Sequence, residues 1–129
     1  RVDGKRISLT DIRSPIYCLA TESDHVSPWR SVCKLLALTD TDVRFVLPNG
    51  GHNGGVVSEP GHKRRHFRML DKVEGTRFVG PDQWFEQSGP ETGSWWPDWA
   101  AWLASRSEDG LAQESWQGLD TAPGNYVFG

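Results

Sequence analysis

Long apolar runs are missing from this 129-residue chain. A membrane-spanning helix needs ~20 apolar residues in a row, and no stretch here approaches that. Cysteine is scarce. The two present, Cys18 and Cys33, form neither a C-x-x-C pair nor a disulfide framework. Their apolar neighbours mark them as buried thiols of a reducing compartment. An excess of one charge sign is also lacking: the net charge is −3, with both signs mixed along the chain. Nothing resembles the basic stripe of a nucleic-acid-binding surface, and Lys63-Arg64-Arg65 reads as a solvated loop. The polar first residues do not form a secretory signal, so a cytoplasmic location is expected. The chain opens on Arg1 and not on Met, as expected of a piece of a longer polypeptide. There is no internal repeat and no low-complexity segment.

Aromatic rings are what the chain does have. Seven Trp and five Phe supply most of the buriable surface, enough for one lean core. Ile16 to Ala20 is a continuous apolar run of strand length, the pattern of a parallel strand covered on both faces. Ser27-Pro28 reads as a helix start, with Ser as N-cap and Pro in the first turn. Val32, Leu35 and Leu36 recur at helical spacing, so one helix is expected from about Pro28 to Leu38. Thr39-Asp40-Thr41-Asp42 then supplies turn chemistry before a second strand, Val43 to Leu47. Strand, helix, strand is a β-α-β unit with parallel strands.

Pro48-Asn49-Gly50-Gly51 ends the second strand sharply, and His52 follows among glycines. Residues 56–78 carry only a weak pattern and are expected to be mostly loop. Pro81 to Gln87 reads as a short helix holding Trp84 and Phe85. In the block from Gly93 to Leu103, the residues Trp95, Trp99, Trp102 and Leu103 share one helical face. That helix is expected to cover one face of the strand pair. Residues 106–129 read as a loosely docked tail.

Open parallel sheets bind ligands beyond the carboxyl ends of their strands. Asp24 and His52 lie just past two such ends, so a carboxylate could orient an imidazole that serves as general base. Taken alone, an Asp after a strand is often a cap or turn residue, and a His among glycines is often only a loop residue. No G-x-S-x-G or G-x-C-x-G elbow is present. Cys18 falls inside a strand and Cys33 inside a helix, which removes both as nucleophiles. The nucleophile should therefore lie upstream of Arg1.

Residues 11–128 resemble the C-terminal part of the bacterial polyhydroxyalkanoate synthases, the poly(3-hydroxybutyrate) polymerases. The resemblance rests on Glu22-Ser23-Asp24-His25-Val26-Ser27-Pro28-Trp29, Arg44-Phe45-Val46-Leu47, Gly51-His52, Gly93-Ser94-Trp95-Trp96-Pro97-Asp98-Trp99 and Pro123-Gly124-Asn125-Tyr126-Val127. It implies an α/β-hydrolase domain that polymerises 3-hydroxyacyl-CoA with Cys, Asp and His. Asp24 and His52 match the family's acid and base. The fold class implied is α/β: the C-terminal portion of an α/β-hydrolase fold, a short parallel β-α-β unit followed by Trp-rich helices. Residues 1–55 would hold acid and base, 56–105 loop and Trp-rich helices, and 106–129 the tail. Acyl-CoA is the substrate, and neither cofactor nor metal is expected. Expected partners are the missing N-terminal part of the polypeptide, a second copy of the chain and the surface of a polyester granule. The chain departs from the family at Asn53, where an apolar residue is usual, and at Ser58-Glu59-Pro60 in place of Asn-Pro-Pro. A related acyltransferase or hydrolase thus stays open.

His25 is expected to make a structural hydrogen bond. His62 and His66, four apart, read as loop residues and not as metal ligands. A free-standing interaction domain, docking through its Trp-rich face to a partner or a granule, is the alternative reading. A small metal-binding protein built on the cysteines and histidines has little support.

Overall fold

The computed structural model describes residues 3, 4, 6–108, 124 and 125. After a 3-10 turn at Leu9–Asp11 come β1 (Ile16–Leu19), α1 (Trp29–Val32), α2 (Leu35–Leu38) and β2 (Val43–Pro48). Next are β3 (His66–Lys72), α3 (Pro81–Gln87), β4 (Pro90–Thr92) and α4 (Trp96–Ala104). The architecture is α/β, with one four-stranded sheet in the order β1-β2-β3-β4. β1 and β2 run parallel, with Ile16 opposite Val43 and Leu19 opposite Val46. The remaining pairs are antiparallel.

The expected strand–helix–strand order is present, but the helix is broken. Pro28, not Ser27, takes the N-cap position, and its backbone is extended with ψ 127°. The Ser27 N–H donates instead to Asp24. Between α1 and α2 the bonding tightens to i→i−3: Lys34 N–H bonds Ser31 O and Leu36 N–H bonds Cys33 O. Trp29, Cys33 and Leu36 still face the sheet together, because their spacing keeps one apolar stripe through the break.

Two small cores sandwich the sheet. On one face Cys18, Val43, Phe45 and Leu47 pack against Trp29, Cys33, Leu36 and Trp84. On the other, Val46, Phe67 and Trp95 pack with Tyr17, Leu19, Met69 and Trp96. Alternation along β2 feeds both, which is why that strand is apolar throughout. Both thiols are buried and free, as expected. Burial pushes Cys18 up to about 11 and Cys33 up to about 12, so neither is a thiolate at neutral pH.

The segment expected to be loop contains β3, which pairs with β2 along its whole length. A charged residue at an inward position hides it from a periodicity reading. Arg68 shares the Phe45 face, where its guanidinium lies 4.0 Å from the centre of the Phe85 ring. It donates to the carbonyls of Phe85 and Ser88, so the half-buried charge is satisfied. The expected two-stranded unit is thus four-stranded, and β1 alone keeps a parallel edge.

The helix at Pro81–Gln87 forms as expected. α4 lies over the second face, yet its tryptophans are not equivalent. Trp95 is buried at 7 % exposure, whereas Trp99 at 42 % and Leu103 at 39 % look outward. Polar contacts hold α4 in place. Tyr17 Oη donates to Asp98 (2.9 Å), and Arg44 donates to Asp98 (2.8 Å) and, bidentately, to Asp71. Burial and the Asp98 bond raise the Tyr17 pKa, and the Asp71 bond raises that of Arg44. The proposed tail, and the motif spanning residues 123–127, lie largely outside the described residues. No helix among the described residues is long and apolar enough to cross a membrane.

Replacement of Trp84 by Ala is expected to cost ~3–5 kcal/mol, since the ring is 3 % exposed and fills the core beside Phe45. Trp99→Ala, expected from sequence alone to be a core mutant, should cost far less. Urea midpoints of the two variants check the ordering, and equal losses would contradict this packing.

Candidate active site

Parallel pairing places the carboxyl ends of β1 and β2 side by side. β1 runs into Ala20 and Thr21, and Ala20 N–H still bonds Val46 O. The chain then turns through Ser23 to Asp24. One carboxylate oxygen of Asp24 accepts the backbone N–H groups of Val26 (2.8 Å) and Ser27 (2.9 Å). The other oxygen accepts His52 Nδ1–H at 2.8 Å. Three donors on one carboxylate hold its pKa at about 2, the Ser27 N–H contributing most and His52 next. An ionised Asp24 cannot donate, so the imidazole must carry its proton on Nδ1. That leaves Nε2 as the acceptor of the neutral ring, and no described residue bonds it. The His52 side chain is 53 % exposed, while that of Asp24 is 7 % exposed. An open depression of about 210 Å³ adjoins the pair, lined by Thr21, Asp24, Ser27, Val32, His52 and Val56 among others.

The loop carrying His52 is tied at its entry. Ser23 N–H donates to Gly50 O (2.9 Å), joining the acid turn to the base loop. Asn49 N–H donates to His66 O, while its side chain donates to Arg64 O and accepts the His66 N–H. Gly50 has φ +109°, and a Cβ there would sit 3.0 Å from Arg65 Nη1. Gly55 is the tightest position: a Cβ would lie 2.5 Å from Thr21 Cγ2. Only glycine lets the loop close onto the end of β1. Asn53 accepts the N–H groups of Val56 and Val57 through its carbonyl and is exposed, so water accommodates its polar side chain.

Several residues fall differently from expectation. His25 is exposed and makes no hydrogen bond among the described residues, so the expected structural bond is absent. Within the basic run, Lys63 and Arg64 are exposed, but Arg65 is half-buried beneath the histidine loop and donates to Val57 O. His62 lies in the turn before β3, and His66 opens that strand 3.8 Å from Glu22. Sequence reasoning missed the contacts of Ser94, Trp95 and Trp96 with the base loop. No local signal predicts a contact across ~40 residues of chain.

No protein-family model matches the chain. Curated proteins do. The sequence is 36 % identical over 132 residues to the poly(3-hydroxyalkanoate) polymerase subunit PhaC of Rhizobium etli, covering 98 % of this chain and 20 % of that protein. The subunit of the same name from Cupriavidus necator is 33 % identical, covering 98 % of this chain and 22 % of that protein. Poly(3-hydroxyalkanoate) polymerase 2 of Ectopseudomonas oleovorans is 30 % identical, with 98 % and 23 % covered. The chain is homologous to a C-terminal part of the poly(3-hydroxyalkanoate) polymerases. It spans about a fifth of the length of these polymerases.

Because the Asp24 value is depressed, what its contacts contribute to the loop is fully present above ~3.9, the ordinary Asp value, and is lost as pH falls through about 2. The carboxyl carbon resonance of Asp24 should titrate near that lower value. In His52→Ala the midpoint should rise only part-way, because the Ser27 and Val26 donors remain. An ordinary carboxyl titration in the unsubstituted chain would contradict the pairing.

Proposed function

We propose that the chain is the acid- and base-bearing C-terminal part of a polyhydroxyalkanoate synthase with an α/β-hydrolase fold, an acyltransferase that polymerises 3-hydroxyacyl-CoA. The observation that carries this reading is the 2.8 Å Asp24–His52 bond at adjacent carboxyl ends of parallel strands. The homology to polymerases supports the reaction class, and the short span of those polymerases supports a remainder that supplies the nucleophile.

In this reading the nucleophile lies in the missing N-terminal part. Its thiol, or hydroxyl, gives its proton to His52 Nε2 while attacking the thioester carbonyl. CoA leaves as a thiolate and takes that proton from the imidazolium, which restores the neutral base. The hydroxyl of a 3-hydroxyacyl chain then attacks the acyl-enzyme. His52 accepts its proton and returns it to the departing nucleophile, and the polymer is longer by one unit. Asp24 keeps Nδ1–H in place and stabilises the imidazolium through both steps. The enzyme would work in the cytoplasm as a homodimer at the granule surface.

The outward position of Trp99 and Leu103 supports a second reading: an interaction domain whose α4 face docks to a partner or a polyester granule. The two readings are compatible, but only the first accounts for the acid–base pair.

The test is CoA release from 3-hydroxybutyryl-CoA. The 129-residue chain alone should release none. In the full-length polypeptide, His52→Ala should lower acylation and polymer growth together, by ~10²–10⁴-fold or more. Asp24→Asn should leave acylation partly intact while slowing elongation more, because the base survives but the help that the family resemblance implies Asp24 gives the incoming hydroxyl is lost. Turnover by the short chain that depends on Cys18 or Cys33 would overturn the assignment.

A further inference from the structure

His52 is held by Asp24 from one side only. The loop that carries it, residues 49–58, makes few apolar contacts: of its residues only Gly55 and Ser58 are buried, and His52, Asn53, Gly54, Val56 and Val57 are exposed. A loop of this kind opens locally unless its backbone is tied. Its entry is tied by Asn49 and Ser23. Its exit is tied by the Arg65 guanidinium at Val57 O and, at three further carbonyls, by one tripeptide. Trp95 Nε1–H donates to Gly55 O (3.2 Å), Trp96 Nε1–H donates to Val56 O (3.0 Å), and Ser94 Oγ–H donates to Ser58 O. Ser94 Oγ also accepts Trp96 N–H (3.0 Å), which fixes the second indole relative to the first.

The two indoles differ from the other tryptophans. Trp29 and Trp84 pack in the opposite core, and Trp84 Nε1 has no partner among the described residues. Trp99 reaches Trp95 by ring contact but makes no bond to the loop. Among the described residues only Trp95 and Trp96 place their single donors on consecutive carbonyls, three and four residues beyond the base. Trp95 is itself wedged against Tyr17 of β1, so the strand leading to the acid and the loop carrying the base share one anchor.

We propose that Ser94, Trp95 and Trp96 are positioning residues for His52. Their donors lock the exit of the base loop, so that Nδ1–H stays on Asp24 and Nε2 stays available. The inference rests on the reading of His52 as base where it concerns turnover, but its structural half stands apart from that reading.

Two measurements test it. The first uses the 129-residue chain and follows the His52 ring Nδ1–H proton by NMR. In the unsubstituted chain it should be a downfield, slowly exchanging resonance. Trp96→Phe, and Trp95→Phe with Trp96→Phe, keep ring bulk and delete the donors. Ring-proton exchange should become at least ~10-fold faster, while the backbone amides of β2 and β3 keep their protection. If the double variant loses its fold, the single Trp96→Phe variant, whose ring is half-exposed, decides. The second measurement uses the full-length polypeptide and CoA release. Here kcat should fall ~10- to 100-fold with KM little changed, since substrate binding is untouched and only the geometry of the base is lost. Trp84→Phe, which keeps an aromatic ring in the opposite core and removes no bond to the loop, should change neither reading. An unprotected ring proton in the unsubstituted chain, or variants that keep both the protected proton and full kcat, would overturn the proposal. Undiminished turnover in His52→Ala would instead overturn the functional reading, and the ring-proton comparison would still decide the positioning role.

Discussion

The parallel register of β1 and β2 is the constraint on which the rest depends. Two strands running the same way end at the same edge, so whatever follows each must share a small volume. Here the followers are a turn ending in Asp24 and a glycine-rich loop bearing His52. Had the strands paired antiparallel, the acid would lie a full strand length from the base. The register also sets depth: Leu19 opposite Val46 leaves Thr21 level with the start of the loop, and Gly55 then fits against it. The cores on both faces serve this pairing, because a parallel pair without cover would expose apolar surface on each side.

Much of this arrangement was legible in the residues. The two apolar runs, the Ser-Pro helix signal and the Pro-Asn-Gly-Gly break were enough to order strand, helix and strand. That order brings Asp24 and His52 to one edge, and the homology to polymerases accords with the family resemblance of the motifs. The illegible parts have physical causes. β3 was hidden because Arg68 occupies an inward position and meets its needs with carbonyls from α3 and its cap, a long-range solution invisible to periodicity. The spacing predicts one continuous helix from about Pro28 to Leu38, and the break within it is missed because spacing reports a shared face and cannot report where 3-10 bonding interrupts it. The Trp block was read as one apolar face, yet the protein divides it between burial, hydrogen bonding and exposure. A tryptophan has both a ring and a donor, and sequence alone does not say which one is used.

The electrostatics of the two sheet faces are unlike. The face toward α1–α3 holds two part-buried basic groups, the guanidinium of Arg68 and the ammonium of Lys72, each donating to backbone carbonyls. The face toward α4 carries a compact ionic group, with Arg44 between Asp71 and Asp98 and the Tyr17 hydroxyl on the second carboxylate. A bidentate guanidinium has little angular freedom, so this group fixes the roll of α4 more sharply than apolar packing would. The roll of α4 in turn decides where its first-turn indoles point. A polar contact at mid-sheet thereby governs the geometry of a loop at the sheet's end.

The two ends of the strand order differ in a way that bears on growth of the sheet. At one end β4 is three residues long and opens with Pro90, which has no N–H to offer a neighbour. At the other end β1 offers Tyr17 and Leu19, whose backbone groups alternate away from β2 and meet no strand among the described residues. No proline, lysine or bulge blunts that margin. The hydrogen-bond ladder is therefore terminated on one flank and extensible on the other. Any strand added to this sheet has one address, alongside the strand that delivers the acid.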